Sequence, residues 1–207
     1  MPKIVPIVEG DGEMEAVPIL LRRILHDRLG AYDWRVGLPK KAHGLPALRK
    51  KLSNFIRYAQ IEPEATHILI ILDLDDGCPM IEAQALAEEI RQIVPCLPVA
   101  VVLAHREYEA WFLASLPSLA GRDGLPPDAF YGDDVENIRG VKGWITRQMP
   151  RGSIYKETSH QPAWSAQMDL DMAEARSRSF QRLLNAITFL RDSTSPVVSP
   201  FPTNAII

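Results

Sequence analysis

The chain is poor in cysteine. Its only two, Cys78 and Cys96, stand in no CxxC spacing, which argues against a disulfide framework and for a reducing compartment. No apolar run approaches the roughly 20 residues that span a bilayer, and Met1-Pro2-Lys3 runs straight into a short strand with no leader-like segment before it. There is no excess of basic charge: the formal net charge of -3 does not advertise a nucleic-acid binder. Net charge averages over a whole surface, however, and a cation in an acidic site would change the local balance. Neither GxGxxG nor GKS/T is present, so the usual nucleotide-binding turns are missing. His26, His67, His105 and His160 show no metal-ligand spacing, and no internal repeat or low-complexity block interrupts the chain. These absences predict a soluble cytoplasmic protein with no membrane partner. At 207 residues and 46% hydrophobic, it can bury a full core as one domain with a small helical appendage.

What is present is acid at the ends of apolar runs. Ile68 to Leu72 is an unbroken apolar stretch that leads into Asp73, Asp75, Asp76 and Gly77. Such a run predicts a strand buried on both faces, whose carboxyl end is where open α/β sheets place ligands. Ile4 to Val8 does the same and ends in Glu9-Gly10-Asp11-Gly12-Glu13, whose glycines permit a tight strand-to-helix turn. Two strands therefore each deliver carboxylates at one edge.

The first half alternates. A helix with Val17, Leu20, Leu21, Ile24, Leu25 and Leu29 inward is expected to start near Glu15 or Ala16, because Pro18 fits best in a first turn, and to end at Gly30. A strand over Trp34 to Leu38, one helix over Pro46 to Ala59, the Ile68 strand, a helix over Met80 to Ile93 and a strand over Val99 to Ala104 follow. This pattern predicts a largely parallel, Rossmann-like sheet with helices on both faces. Residues 1–115 form the expected α/β core and 116–192 a helical extension, with a helix in Val135 to Met149 broken near Gly140 and Gly143, and another over Asp169 to Leu190. Residues 193–207 read as a poorly ordered or docked tail.

Each acidic group has a plain reading beside the chemical one. Asp and Gly are common turn residues, so Asp73, Asp75 and Asp76 also suit an ordinary polar turn. If the strand continues, however, Asp73 and Asp75 share a side, and two such carboxylates suit Mg²⁺ or Mn²⁺. Glu13 and Glu15 near a helix start are favourable without any function, whereas Glu9 is the better functional candidate. A phosphate-binding turn at Glu9 to Glu13 is disfavoured by its own acids. Glu107 and Glu109 also read as first-turn helix acids, and Tyr108 and Tyr155 as packing or surface residues. Trp111 and Phe112 read as core, with base stacking the alternative. Cys78 lies beside acids that disfavour a thiolate.

Together Glu9-Gly10-x-x-Glu13, Asp73-x-Asp75 and Arg106-Glu107-x-Glu109-Ala110-Trp111-Phe112 resemble the toprim domain. More particularly, they are similar to an uncharacterised bacterial family grouped with the overcoming-lysogenization-defect (OLD) nucleases. The likeness covers residues 3 to 115 by motif and the helical remainder more loosely. It implies a toprim-like fold and Mg²⁺- or Mn²⁺-dependent cutting of DNA or RNA, in bacterial defence or repair. Glu9 would be a metal ligand or general acid/base, Asp73 and Asp75 metal ligands, and Glu13 and Glu109 holders of a second ion, as in the two-metal arrangement. The chain has no Walker motif and no identifiable topoisomerase tyrosine context, so an ATPase partner would be a separate subunit and strand passage is not expected.

Candidate phosphate-backbone contacts are Lys40, Lys41, His43, Lys142, Arg147, Arg151 and Lys156, with Arg176, Arg178 and Arg182 as a helical stripe. Most such residues are plain solvated surface. Lys156 is the candidate to stabilise charge at a scissile phosphate. The competing functions are an aspartyl-nucleophile phosphatase using Asp73, and a non-catalytic metal- or nucleic-acid-binding regulatory subunit. The helical extension is a candidate homodimer interface or substrate clamp.

Overall fold

The computed structural model describes residues 1–193 and 195–200; the side chain of Pro200 is outside it. Strand β1 (Lys3–Val8) leads into helix α1 (Asp11–Arg23), which ends in a π turn over Ile24–Arg28. Two short strands, β2 (Arg35–Val36) and β3 (Lys40–Lys41), precede helices α2 (Leu45–Lys50) and α3 (Leu52–Gln60). Strand β4 (His67–Leu74), helix α4 (Pro79–Ile93) and strand β5 (Val99–His105) complete the alternation. Then come α5 (Ala110–Ala114), α6 (Leu116–Leu119), α7 (Val141–Gln148), α8 (Glu157–Ser165), α9 (Leu170–Arg176), α10 (Arg178–Asp192) and strand β6 (Val198–Pro200).

Every strand pairing among the described residues is parallel, in the order β2-β1-β4-β5-β6, with β3 continuing β2's side of β1. The chain runs outward from β1 to β2 and β3, then crosses back to β4. That reversal between β1 and β4 is a switch point, where a crevice opens beyond the carboxyl ends of the strands. Side chains alternate between two cores, as a sheet covered on both faces requires. Leu69 and Ile71 of β4 join Leu20, Trp111, Trp164 and Phe180 beneath α1, α5, α8 and α10. Ile68, Ile70 and Leu72 join Leu48, Ile56 and Leu86 beneath α2, α3 and α4. Each such aliphatic side chain, buried rather than exposed, stabilises the fold by roughly 1.5–3 kcal/mol.

Several boundaries differ from the sequence reading. Helix α1 begins at Asp11, not near Glu15, and holds Pro18 in its interior. The Glu13 carboxylate accepts the Gly10 N–H at 3.0 Å, which closes the helix start a turn earlier than the proline suggests. The expected helix over 46–59 is broken at Lys51, whose ψ of 28° is not helical. The one over 169–190 is broken at Ser177, where the serine hydroxyl accepts the Phe180 N–H at 3.1 Å and restarts the helix. The tail contributes a strand: Val99, Ala100 and Val101 pair with Val198, Ser199 and Pro200. An edge is where a sheet tolerates proline. Thr194 and residues 201–207, the rest of that expected tail, lie outside the described residues.

Helix α8 packs against α1 with its side chains directly over Gly12. A Cβ added there would lie 2.1 Å from Gln161 Oε1 and 3.1 Å from the Glu157 backbone. Gly12→Ala is therefore expected to destabilise the protein by about 1–3 kcal/mol through overpacking, read as a lower urea midpoint with an unchanged slope. An unaltered midpoint would mean that α8 does not seat on α1 this closely.

Candidate functional site

The carboxyl ends of β1 and β4 and the turn after β5 bring Glu9, Glu13, Asp73 and Glu109 together, through a chain of specific hydrogen bonds. Glu9 follows β1, and its Oε2 accepts the Asp73 N–H of the neighbouring strand at 3.1 Å. Asp73 lies on the Leu69–Ile71 face of β4, and its Oδ1 accepts the Tyr108 N–H at 2.8 Å. Glu13 turns back from the first turn of α1 and, besides capping Gly10, accepts Gln161 Nε2 at 3.2 Å on Oε1. Glu109 is 0% exposed, and its Oε1 accepts both the Tyr155 hydroxyl at 3.0 Å and Gln161 Nε2 at 2.8 Å. Its Oε2 is buried with no hydrogen bond.

One ammonium group answers these acids. Lys142 Nζ lies 4.0 Å from Glu109 Oε2 and pairs with Glu157 at the mouth of the site. Lys142 is held there by its helix start. Gly140 adopts a left-handed conformation before α7, and the Val141 N–H donates to Glu107 Oε1 at 2.9 Å. Glu107 thus caps the helix that carries the lysine.

The electrostatics follow from burial and crowding. Burial, then Glu109, Glu9 and Glu13, push the Asp73 carboxyl well above the usual carboxylate range. Burial also raises Glu9; the Asp73 N–H opposes this, and Glu13 and Asp75 add to it. Burial lifts Glu109 to about 7, with Lys142 and Gln161 working the other way. Burial works against the charge on Lys142, yet Glu109, Glu157 and Asp73 together hold it more firmly protonated than an ordinary lysine.

Among the described residues no three His, Cys, Asp or Glu side chains form a ready-made metal-binding group. Internal N–H and O–H donors take up much of the carboxylate capacity. Glu9 Oε1 and Asp73 Oδ2 accept no hydrogen bond from any described residue, although their own partner oxygens do. Unpaired carboxylate oxygens on adjacent strand ends are hard donors of the kind Mg²⁺ and Mn²⁺ take.

The other residues singled out in the sequence are placed as follows. Asp75 lies one residue past the end of β4 and is exposed, so it borders the cluster and acts on Glu9 by charge. Asp76 pairs with Arg139 at 2.6 Å. Lys156 is the exposed residue before α8, and its ammonium group makes no ion pair among the described residues; Lys142 is the lysine that acts on Glu9, Asp73 and Glu109. Lys40 pairs with Glu62 and lies over the Tyr58 ring, and Lys41 pairs with Asp11 at 2.6 Å. His43 is exposed, and its N–H donates to the Glu9 carbonyl at 3.0 Å. Arg178 is elsewhere: with Cys78, Pro79, His105 and Arg182 it lines a cavity of about 390 Å³. Sequence reasoning missed Gln161 and Glu157 and read Tyr155 as a packing or surface residue. No local pattern marks them, since Gln161 meets Glu13 across 148 residues of chain.

The raised Glu109 carboxyl carries a pH signature. Its protonated form is favoured in the fold, so its stabilising effect is full below about 4.5 and lost as pH rises through about 7. The full displacement corresponds to about 3 kcal/mol. In chelator, the melting temperature of Glu109→Gln relative to wild type should therefore rise between about pH 5 and about pH 8. A difference that stays flat with pH would refute the assignment.

No curated protein matches this chain. Residues 8–188 match a family described as a domain of unknown function, DUF4276, and that span takes in Glu9, Glu13, Asp73, Glu109, Lys142 and Gln161 alike. The chain belongs to the DUF4276 family.

Proposed function

We propose that this protein is a toprim-type phosphodiesterase that cuts DNA or RNA with the help of Mg²⁺ or Mn²⁺. The observation that carries the reading is the pair of unpaired oxygens, Glu9 Oε1 and Asp73 Oδ2, on adjacent strand ends at the switch point of a parallel sheet. Burial and mutual crowding push these carboxyls above their usual range, so positive charge among them is favourable.

Glu9 and Asp73 would hold the ion, with exposed Asp75 beside them. A bound divalent cation supplies Lewis acidity toward a phosphodiester oxygen and lowers the pKa of a bound water. The protein's own groups supply orientation. The Asp73 N–H fixes Glu9, the Tyr108 N–H fixes Asp73, and Gln161 ties Glu13 to Glu109. Lys142 places a fixed positive charge among them, where it can stabilise negative charge that develops on a transferring phosphoryl group.

A phosphatase working through Asp73 as nucleophile has less support. Asp73 Oδ1 is held by the Tyr108 N–H, and its Oδ2 is the oxygen given above to the cation, which leaves neither free for attack.

The test is cleavage of supercoiled plasmid, linear DNA and structured RNA by wild type, Glu9→Gln and Asp73→Asn, with Mg²⁺ or Mn²⁺. Wild type should cut at least one polymer, and each variant should lose at least about 100-fold in rate with little change in melting temperature. Undiminished cutting by both folded variants would sink the proposal. Release of phosphate from a generic monoester, with every polymer left intact, would favour the phosphatase instead.

A further inference from the structure

The resemblance to two-metal nucleases assigns a second ion to Glu13 and Glu109, and the arrangement around those two residues speaks against it. Three of their four carboxylate oxygens already accept hydrogen bonds. Glu13 Oε2 takes the Gly10 N–H at 3.0 Å, Glu13 Oε1 takes Gln161 Nε2 at 3.2 Å, and Glu109 Oε1 takes Tyr155 and Gln161 at 3.0 and 2.8 Å. The fourth, Glu109 Oε2, faces Lys142 Nζ at 4.0 Å.

Gln161 and Tyr155 are packed in place. Gln161 is 0% exposed and packs with its amide against Gly12, where no side chain fits. Tyr155 is buried and stacks on His160 with ring centroids 5.1 Å apart. Lys142 is anchored from below by the Glu107 cap on α7 and from the side by Glu157. A second divalent ion would have to break the Gln161 bridge between two carboxylates and approach an ammonium group of like charge. Glu9 Oε1 and Asp73 Oδ2 carry no hydrogen bond that an ion would have to break.

We infer that the site takes one divalent cation, at Glu9 and Asp73, and that Lys142 provides from within the protein the second positive charge that another ion would bring. Gln161 and Tyr155 are then positioning residues: they hold Glu109 in place as the counter-charge of Lys142. The inference rests on the phosphodiesterase reading above and narrows it to a lysine-assisted, one-ion site.

The experiment is Mn²⁺ binding to the full chain by equilibrium dialysis, with metal counted per protein and no substrate present. Wild type is expected to bind one Mn²⁺ per chain, and Glu109→Gln is expected still to bind one. Lys142→Met leaves the Gln161 bridge in place and should still bind one Mn²⁺, but more tightly, because the positive charge acting on Glu9 and Asp73 is gone. Two ions on wild type, reduced to one in Glu109→Gln, would overturn the inference while leaving the phosphodiesterase reading intact. Unchanged Mn²⁺ affinity in a folded Lys142→Met protein, judged by circular dichroism, would overturn the part given to Lys142. Should Lys142→Met not fold, wild type and Glu109→Gln decide the count by themselves. No Mn²⁺ on wild type would remove both the inference and the reading beneath it.

Discussion

Carboxylates converge at one end of this sheet, and their mutual repulsion is the constraint around which the rest of the site is arranged. Each of Glu9, Glu13, Asp73 and Glu109 would be costly in a half-buried crevice if left bare. The fold meets that cost with hydrogen bonds from the backbone first: Gly10 donates its N–H to Glu13 within one helix start, and Asp73 and Tyr108 donate theirs to carboxylates of neighbouring segments. Because Asp73 sits on β4 and Tyr108 on the turn after β5, those two bonds also tie the strand ends to one another. What the backbone leaves unneutralised falls to Lys142, to protonation, and on our account to a divalent cation.

The helical extension belongs to the site rather than standing beside it. Helix α8 sends Gln161 into the core between Glu13 and Glu109, and the turn before it sends Tyr155 to Glu109. Helix α7 carries Lys142, and Glu107 from the turn after β5 caps that helix. The α/β core without residues 116–192 would therefore lack three of the groups that hold its carboxylates in register. Trp111, Phe112, Trp164 and Phe180 form edge-to-face pairs beneath this region, giving it a rigid floor.

How much of this is legible in the sequence depends on the range of the interaction. Glu9 and Asp73 can be read because a buried strand and the residue at its end are neighbours in the chain, and parallel sheets put such ends together. The α/β alternation is legible for the same reason. The side shared by Asp73 and Asp75 is expected only if the strand continues, and β4 stops at Leu74. The helix breaks at Lys51 and Ser177 are invisible because apolar spacing runs through both: Leu48 to Leu52 is one helical step, and the restart at Ser177 draws on Glu136, which accepts the Ser179 N–H at 2.6 Å from far away in the chain. Strand β6 is three residues long, too short for any periodicity. Lys142, Tyr155 and Gln161 owe their place wholly to tertiary packing. No spacing rule separates Lys142 from Lys156; the Glu107 cap on α7 and the pairing with Glu157 set Lys142 beside the acids.

The central claim is that Glu9 and Asp73 together hold a divalent cation. It is tested most directly by growing crystals with Mn²⁺ and collecting data at a wavelength where manganese scatters anomalously. An anomalous peak is expected between the Glu9 and Asp73 carboxylates, lost in crystals of Asp73→Asn. No peak at that place in well-ordered crystals, or one that persists in Asp73→Asn, would contradict it.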